Sequence, residues 1–306
     1  MSFSTKVKKE ISISQISKNN QVVLSELSAI LRLNGIYHFG GKKNTLEIQT
    51  RNPASAQRVY KLINQSFNNA ELQTNIETFA GKKTHRYGVV ISKGSDELLD
   101  VLNLDPFSST KIIPLKFYDT AEKQIAILKG AFLAGGSIND PKTKNYHLEI
   151  FSNNDYLMRQ LEQIFQDRFP FKTINRRGGS VIYLKKNSYI LDFLEVVGAF
   201  DSRKEYDNKI VVNEMRNQAN RATNADSINL QRSLNASNEQ IKMIQFIQNK
   251  VGLDVFDEKI RQIAELRLLH PEASLTELGE FSIENISKSG VRHRMKKIED
   301  LYKQLN

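Results

Sequence analysis

A repeated segment is the feature that most constrains the fold of this 306-residue chain. Residues 128–150 read LKGAFLAGGSINDPKTKNYHLEI, and residues 27–49 read LSAILRLNGIYHFGGKKNTLEIQ. Each copy predicts a helix rich in small residues, a glycine at its end and an extended run closing on Leu-Glu-Ile. Aligning Gly35 with Gly136 requires only one inserted residue before that motif. The order of the predicted elements agrees between the two copies, and so do the positions of the glycine and the Leu-Glu-Ile motif. The pattern therefore predicts an internal duplication.

Apolar periodicity and turn signals give the same series of elements in both copies. In the first copy we predict helices at 22–34, 53–67 and 96–104, and extended runs at 36–39, 45–49, 72–78 and 87–92. In the second copy we predict helices at 121–135, 155–168 and 188–197, a hairpin around 139–141, and strands flanking 176–179. The predicted fold class is therefore α+β, with two αββαββα modules at residues 1–110 and 111–205.

Three local patterns inside the modules lead to separate predictions. Phe3, Val7 and Ile11 are spaced by four, which indicates an amphipathic packing helix over 3–16; its lysines leave a DNA-binding arm as the alternative. Gly35 predicts a left-handed helix cap. Residues 81–84, Gly-Lys-Lys-Thr, predict a turn and lack the upstream glycine and the Gly-Lys-Thr ending of a phosphate loop.

The composition excludes several classes of protein. No apolar run approaches the roughly 18 residues of a membrane span, and the N-terminus lacks the apolar core of a signal peptide, so we expect a cytoplasmic protein without membrane contact. There is no cysteine, and the five histidines are not at ligand spacing, so we expect no metal and no other cofactor. A net charge of +10, with its excess in residues 1–205, favours a polyanionic partner.

Residues 206–235 change in character and are rich in Asn, Gln, Ser and Arg, with MRNQANRATNADSINLQRS at 215–233. We predict a polar helix and linker, with a hinge near residues 225–230. A plain linker without any binding role remains the alternative.

The last segment, residues 236–306, carries the pattern of a helix-turn-helix domain. A helix over 257–270 is stopped by Pro271, and Ser274 with Glu277 forms a capping box that starts a short helix to Phe281. In the last helix an inward apolar stripe follows at i, i+4, i+7 and i+11: Val291, Met295, Ile298 and Tyr302. A short capped helix, a turn and a basic helix indicate an all-α DNA-binding domain.

The basic side of this last helix supplies the candidate DNA-binding residues. They are Ser287, Lys288, Ser289, Arg292, His293, Arg294, Lys296 and Lys297. First-turn side chains reach base edges in such domains, and the others contact phosphates. A solvated helix face is the ordinary alternative for a run of charges. Gly290 costs about 1 kcal/mol of helix propensity relative to alanine, and it either permits close approach to a phosphate or relieves crowding.

The duplicated order, together with FLAGGS at 132–137, resembles the LAGLIDADG homing endonucleases. The resemblance implies two signature helices packed side by side and two sheets that form a saddle over DNA. In that family an acid before the glycine binds the catalytic divalent metal. Here the two positions hold Asn34 and Gly135, which cannot bind Mg²⁺ as a carboxylate does, and Asp140 lies beyond the helix end. We therefore expect no catalytic residues and no enzyme activity.

Two LAGLIDADG-like modules that lack these acids, followed by a helix-turn-helix, resemble the WhiA family of bacterial DNA-binding regulators. The matching stretches are MSFSTKVKKE, LKGAFLAGGSINDPKTKNYHLEIFS, MRNQANRATNADSINL, SLTELGE and ISKSGVRHRMKKI. The resemblance implies a cytoplasmic, nucleoid-associated transcription regulator. It is tied to cell division and chromosome segregation, or to sporulation in sporulating relatives.

The expected partner is double-stranded DNA, read by the helix-turn-helix, with secondary backbone contacts from Arg176, Arg177 and Lys185. One alternative is that the scaffold binds a partner such as RNA polymerase, another transcription factor or a small ligand. That alternative explains why two whole modules remain after their acids are lost. A metal-dependent DNA endonuclease is the other alternative, disfavoured by Asn34 and Gly135.

Overall fold

A computed structural model describes residues 2–40, 44–67, 71–78, 85–143 and 145–306. The chain divides into two compact units, Met1–Asn213 and Glu214–Asn306. The turn predicted at 81–84 lies outside the described residues, and so do residues 41–43 of the first predicted hairpin. The predicted boundaries at 110, 205 and 235 remain predictions.

The first unit opens with α1 (Phe3–Ile13), whose Phe3, Val7 and Ile11 are buried, so it is a packing helix. The first module then follows in the predicted order. Its elements are α2 (Asn20–Asn34), β1 (Gly35–His38), β2 (Thr45–Thr50), α3 (Pro53–Ser66), β3 (Glu71–Thr78), β4 (His85–Lys93) and α4 (Ser95–Val101).

The second module repeats this order. Its elements are α5 (Ala121–Gly135), β5 (Gly136–Ile138), β6 (Leu148–Ser152), α6 (Asp155–Phe165), β7 (Lys172–Arg176), β8 (Gly179–Leu184) and α7 (Asn187–Val196). The four-stranded sheets are antiparallel and have equivalent strand orders, β1-β2-β4-β3 and β5-β6-β8-β7. The predicted duplication and fold class are confirmed.

Strand alternation gives each sheet an inner and an outer face. In β2, Leu46 and Ile48 belong to the buried core, while Glu47 lies on the outer face. In β6, Leu148 and Ile150 are buried in the same way, and Glu149 is their outward neighbour. The two Leu-Glu-Ile motifs therefore occupy equivalent places.

The prediction of a left-handed cap at Gly35 is wrong. Gly35 has φ −74° and ψ 133°, and Gly136 has φ −77° and ψ 148°, so each helix passes directly into an extended strand. The glycines are needed for space: a Cβ would lie 2.5 Å from the Leu31 carbonyl oxygen at Gly35 and 2.2 Å from the Phe132 ring at Gly136. The sharp change of direction, and not a positive φ, excludes a side chain there.

Helices α2 and α5 pack closely against each other, as the resemblance implied. A Cβ on Gly130 of α5 would lie 2.4 Å from the Glu26 carbonyl oxygen and 3.1 Å from Ala29 Cβ. Within α2, Glu26 is itself buried and pairs with Arg58 Nε at 2.5 Å. A glycine facing a helix backbone is therefore what allows the short separation of the pair.

The long helix α8 (Phe200–Val251) contributes to both units. Its N-terminus is held in the first unit by the Glu10 carboxylate of α1, which accepts from the backbone N–H groups of Asp201 and Ser202 at 3.1 Å. A carboxylate at a helix N-terminus is stabilising because it satisfies free N–H groups. The predicted hinge at 225–230 is wrong, since these residues are helical.

The second unit contains the C-terminal part of α8 followed by α9 (Glu258–Leu269), α10 (Leu275–Phe281) and α11 (Lys288–Leu305). Ile244 and Ile247 of α8 share one core with the last three helices; its other fully buried members are Ile260, Ile263, Ala264, Leu278, Val291, Met295 and Ile298. The apolar stripe predicted for the last helix is confirmed at its first three positions, and Tyr302 packs at the edge of this core.

Candidate nucleic-acid interface

The turn between α10 and α11 is closed by backbone contacts that depend on a glycine. Ile286 N–H donates to the Gly279 carbonyl at 3.1 Å, and the Ser282 hydroxyl donates to the same oxygen at 2.6 Å. A Cβ on Gly279 would lie 2.1 Å from the Ile286 carbonyl oxygen. The sequence did not single out Gly279, because its contact is with a residue on the far side of the turn.

Helix α10 begins at the predicted capping box. Glu277 N–H donates to the Ser274 hydroxyl at 3.2 Å, and Ser274 N–H donates to the Glu277 carboxylate at 2.7 Å. The backbone hydrogen bond from Ser274, with that from its hydroxyl, holds the pKa of the Glu277 carboxyl below its usual value. This cap fixes where α10 starts relative to the turn.

Helix α11 presents one basic, exposed face. Since successive residues of a helix are about 100° apart, the buried Val291, Met295 and Ile298 define one side, and the opposite side points to solvent. Within the helix itself, the exposed predicted residues are Lys288, Ser289, Arg292, His293, Lys296 and Lys297. Within the described ranges, the charged members of this set form no ion pair. The structure therefore brings these six together on a surface available to a partner.

Ser287 has a structural role at the start of this helix. It is the N-cap residue, and its hydroxyl accepts from Gly290 N–H at 3.4 Å and lies 2.8 Å from the Ser289 hydroxyl. Ser287 thus fixes the first turn of the helix, the part of such a helix that approaches base edges.

Arg294 is placed differently from the other predicted DNA-binding residues. Its side chain is only 14% exposed, and its guanidinium pairs with Glu284 at 2.7 Å. Lys259 of α9 pairs with the other oxygen of the same carboxylate at 2.6 Å. Hydrogen bonds from Lys259 and Arg294 hold the pKa of Glu284 below its usual value. Arg294 therefore ties α11 to the turn and to α9, and the structure does not place it with the exposed face.

Gly290 is not required by packing within the chain. A Cβ there would meet Ile286 Cβ at 3.5 Å and the Ser287 hydroxyl at 3.8 Å, which are ordinary van der Waals contacts. Crowding inside the protein, one of the two explanations left open by the sequence, is therefore not the reason for the glycine.

The three predicted backbone contacts of the scaffold lie near β7 and β8. Arg176 pairs with Glu149 at 2.9 Å, and Lys185 Nζ lies 5.1 Å from the centre of the Tyr183 ring. Arg177 is exposed and forms no ion pair within the described residues. Of the three, Arg176 already has a partner for its charge.

Asn34 and Gly135, the two positions that the resemblance aligns with catalytic acids, lie at the ends of α2 and α5. The Asn34 side-chain amide donates to the Gln49 carbonyl oxygen. At Gly135, a Cβ would lie 2.3 Å from the Phe151 carbonyl oxygen, so the backbone itself leaves no room for a side chain. Neither position supplies a carboxylate for a divalent cation: Asn34 has only an uncharged amide, whose nitrogen already donates to a carbonyl, and Gly135 has no side chain.

A cavity of about 370 Å³ opens beside these helix ends. Its polar lining consists of Lys8, Asn34, Gln49, Thr50, Arg51 and Arg86, so it carries three basic residues and no acidic one among the described residues. Arg86 donates to the Gln49 side chain at 3.4 Å. Arg51 is exposed. Sequence reasoning missed this cluster because its members come from α1, from the segment after β2 and from β4.

Lys8 is the least usual member of this cavity. Its ammonium donates to the Leu133 carbonyl at 3.2 Å and forms no ion pair within the described part of the chain. Burial lowers the pKa of Lys8 to about 8, because the charged form loses water without gaining a carboxylate. An ammonium group thus lies near the end of α5, where its hydrogen-bond partner Leu133 is two residues before Gly135.

Among the described residues, no helix combines the length and the apolar composition needed to cross a bilayer. Their His, Asp and Glu side chains also form no group of three or more that is arranged to hold a metal ion.

Three family models together match most of the chain. The WhiA N-terminal LAGLIDADG-like domain matches residues 20–105, the WhiA LAGLIDADG-like domain matches 124–216, and the WhiA C-terminal HTH domain matches 219–302. They agree with the two sheets and the helical C-terminal unit. The class of protein is thus a degenerate, duplicated homing-endonuclease-like scaffold followed by a helix-turn-helix domain.

Named relatives extend over the full chain. A probable cell division protein WhiA from Oenococcus oeni is 43% identical over 314 residues, covering 100% of this chain and 99% of its own length. One from Leuconostoc citreum is 38% identical, covering 100% of this chain and 97% of its own length. The chain belongs to the WhiA family.

Solved structures support the fold. The crystal structure of full-length DUF199/WhiA from Thermatoga maritima has a TM-score of 0.61 at 23% identity and covers 99% of both chains. That of the N-terminal LAGLIDADG domain of DUF199/WhiA has a TM-score of 0.52 at 20% identity, covering 64% of this chain and 90% of that chain.

Proposed function

We propose that the protein is a sequence-specific DNA-binding transcription regulator that reads its site with α11. The observation that carries this proposal is the exposed basic face of α11, whose charges have no partner in the described structure. Unpaired lysines and arginines on a helix attract DNA phosphates, and arginine near the helix start can bind guanine through two hydrogen bonds.

The individual roles follow from position along the helix. Lys288, Ser289 and Arg292 lie in the first two turns, so they are assigned to base edges. His293, Lys296 and Lys297 are assigned to phosphates. Ser287 and Arg294 are assigned to holding the helix in place, through the N-cap and through Glu284.

The biological setting is inferred from the relatives. Several are named as probable cell division proteins, so we assign this chain to the control of cell division and, by its family resemblance, of chromosome segregation. Double-stranded DNA as the partner places the protein in the cytoplasm, at the nucleoid. As the alternative role of the scaffold, we propose that it binds RNA polymerase or another transcription factor.

The assignment is tested by selecting bound sequences from a random DNA library with the full-length protein. Arg292→Ala and Lys288→Ala should each weaken binding to the selected site about tenfold or more and relax preference at one or two positions. Lys242→Ala is the control, because Lys242 is exposed on α8 and pairs with Glu239. Unchanged preference in the Arg292 variant would show that α11 does not read the site.

We also propose that the scaffold does not cleave DNA. The support is the chemistry at Asn34 and Gly135, since two-metal hydrolysis requires carboxylate ligands. Supercoiled plasmid incubated with the protein and Mg²⁺ or Mn²⁺ should remain un-nicked. Nicking that tracks with the protein through purification, and disappears in an Asn34→Ala variant, would contradict this.

A second candidate role for the scaffold is binding of a phosphate-bearing group in the cavity beside α2 and α5. The observation that favours it is the unpaired, mostly buried Lys8 together with Arg51. Inorganic phosphate or pyrophosphate should raise the melting temperature of wild-type protein, and less so for a Lys8→Gln, Arg51→Gln variant. The effect should weaken above about pH 8, where Lys8 loses its proton.

The matched control for the cavity is Lys9→Gln, which removes an exposed charge from the same helix. If neither anion stabilises the wild-type protein, but the double variant flattens the salt dependence of DNA binding, the phosphate in the cavity belongs to DNA. No effect in either measurement would exclude a phosphate site there.

A further inference from the structure

The middle of α8 is a helix without a packing face. Every residue from 218 to 233 is exposed, and the nearest buried side chains on either side are Ile210 and Ser237. Helices in proteins are ordinarily stabilised by burying an apolar stripe. Here the described chain provides nothing for the segment to pack against. Packing within the chain therefore does not account for this run of residues.

Helical geometry sorts the side chains of this segment by type. With about 100° between successive residues, one line of residues falls within about 60° of the direction of Asn217. It consists of Asn217, Asn220, Arg221, Asn224, Gln231, Arg232 and Asn235, which we name the amide stripe. Ile228 is the one apolar residue along it. The opposite side carries mainly small residues, one amide and the only acid of the stretch: Ala219, Ala222, Thr223, Asp226, Asn229, Leu230 and Ser233.

The amide stripe does not serve helix stability. Asparagine has a low helix propensity, because its side chain competes for backbone hydrogen bonds. Among the described contacts, the only side-chain hydrogen bond within the stripe joins Gln231 to Asn235 at 3.0 Å. Asn220 and Asn224 are exposed, and Asn217 is half-buried. A set of poor helix formers aligned on one exposed face indicates a surface selected for binding.

The chemistry of the stripe fits a nucleic-acid duplex. Asparagine and glutamine can bind adenine through two hydrogen bonds, and arginine can bind guanine in the same way. The segment is also positively charged, because it contains three arginines, Arg216, Arg221 and Arg232, and only one acid, Asp226. From 217 to 235 the stripe is about 27 Å long, which approaches one turn of B-DNA at about 34 Å.

The stripe also belongs to the same compact unit as α11. Further along α8, Ile244 and Ile247 are fully buried in the core that contains Val291 of α11. The helix that bears the stripe is therefore built into the domain whose last helix is the proposed reading element. We propose that the amide stripe is a second DNA-contact surface, which binds base edges and phosphates of the duplex held by α11.

This inference rests on the proposed function, so the experiment separates the two. The test variant in the full-length protein is Asn220→Ala, Asn224→Ala, Gln231→Ala. Alanine favours the helix, so folding is retained, and far-UV circular dichroism should show equal or greater helicity. The matched control is Gln218→Ala, Asn229→Ala, Ser233→Ala, which removes polar groups of similar size from directions outside the stripe.

Both variants are compared with wild type and with Arg292→Ala by affinity and by hydroxyl-radical footprinting on the selected site. The stripe variant should bind at least about tenfold more weakly and lose protection in one part of the footprint, while the control behaves as wild type. Wild-type affinity and an unchanged footprint in the stripe variant, with binding lost in Arg292→Ala, would overturn the stripe and leave α11 as the reader.

Two other outcomes also decide the matter. If wild-type protein sediments as a dimer, and the stripe variant keeps the full footprint but sediments as a monomer, the occupant is a second copy of the chain and DNA is excluded. If wild-type protein gives no footprint on any selected sequence, the proposed function itself has failed, and the inference fails with it.

Discussion

Lys8 carries a charge that the fold holds away from water without a carboxylate beside it. Burial lowers the pKa of Lys8 to about 8 from the ordinary value of 10.5. Between these two values the unfolded chain binds more protons than the folded chain, so the free energy of unfolding gains a contribution that rises with pH. Below about pH 8 the buried charge destabilises the fold in full.

The substitution Lys8→Met keeps the long apolar stem and removes the charge. We expect it to stabilise the first unit at pH 7 by on the order of 2 kcal/mol, after about 1 kcal/mol is subtracted for the lost hydrogen bond to Leu133. The difference from wild type should shrink as the pH rises from 8 to 10.5. Urea unfolding followed by far-UV circular dichroism measures this. Lys9→Met, on the exposed side, should show no such trend, and a variant less stable than wild type at pH 7 would contradict the argument.

Gly290 allows stability and binding to be separated at one residue. Because a Cβ there meets only ordinary contacts, Gly290→Ala should stabilise the second unit by up to about 1 kcal/mol through helix propensity. If the glycine is there to let a phosphate approach the helix backbone, the same variant should bind DNA several-fold more weakly. Thermal unfolding and titration with the selected site test both effects. Equal DNA affinity in the more stable variant would leave Gly290 without a binding role.

At the scale of elements, the turn before α11 depends on one close backbone approach. Gly279→Ala would bring a Cβ to 2.1 Å from the Ile286 carbonyl oxygen. This oxygen belongs to the backbone, so it cannot move aside as the end of a flexible side chain would. We expect a loss of about 2–4 kcal/mol in the stability of the second unit and loss of specific DNA binding. Differential scanning calorimetry and a binding titration measure these effects. The paired variant Glu280→Ala, on an exposed neighbour, should change neither quantity by much.

The elements differ in how far the sequence could predict them. Periodicity and the repeat predicted the strands and helices of both modules and the inward stripe of α11, because each depends on neighbours close in sequence. The pairing of α2 with α5 joins segments far apart in sequence, and it was expected only from the family resemblance. The hinge at 225–230 was wrong, since polar composition was taken as a helix break, whereas α8 continues through it. The structural role of Arg294 was missed because its partner Glu284 lies in the turn, which carries no periodic signal.

For the whole molecule, the net charge of +10 predicts attraction to DNA but does not show which charges are in contact with it. Most of the excess lies in the first unit, yet Arg176 is already paired with Glu149 and Lys185 lies over Tyr183. The charges on the exposed basic face of α11 are fewer, but they form no ion pair among the described residues. The part of the molecule that carries most of the net charge therefore need not be the part that contacts DNA.

The salt dependence of binding distinguishes these contributions, because each phosphate contact adds about 0.9 to the slope of log K against log salt. Lys296→Gln with Lys297→Gln should lower the slope by close to two such contributions. Arg177→Gln with Lys185→Gln should lower it by as much only if the scaffold contacts DNA, and it should then weaken all sequences evenly. Arg176→Gln should have the smallest effect, because its guanidinium must first leave Glu149. Titrations of the full-length protein from about 50 to 200 mM salt measure all three slopes. A larger change from Arg176 than from the α11 pair would place the main DNA contact on the scaffold sheet and not on α11.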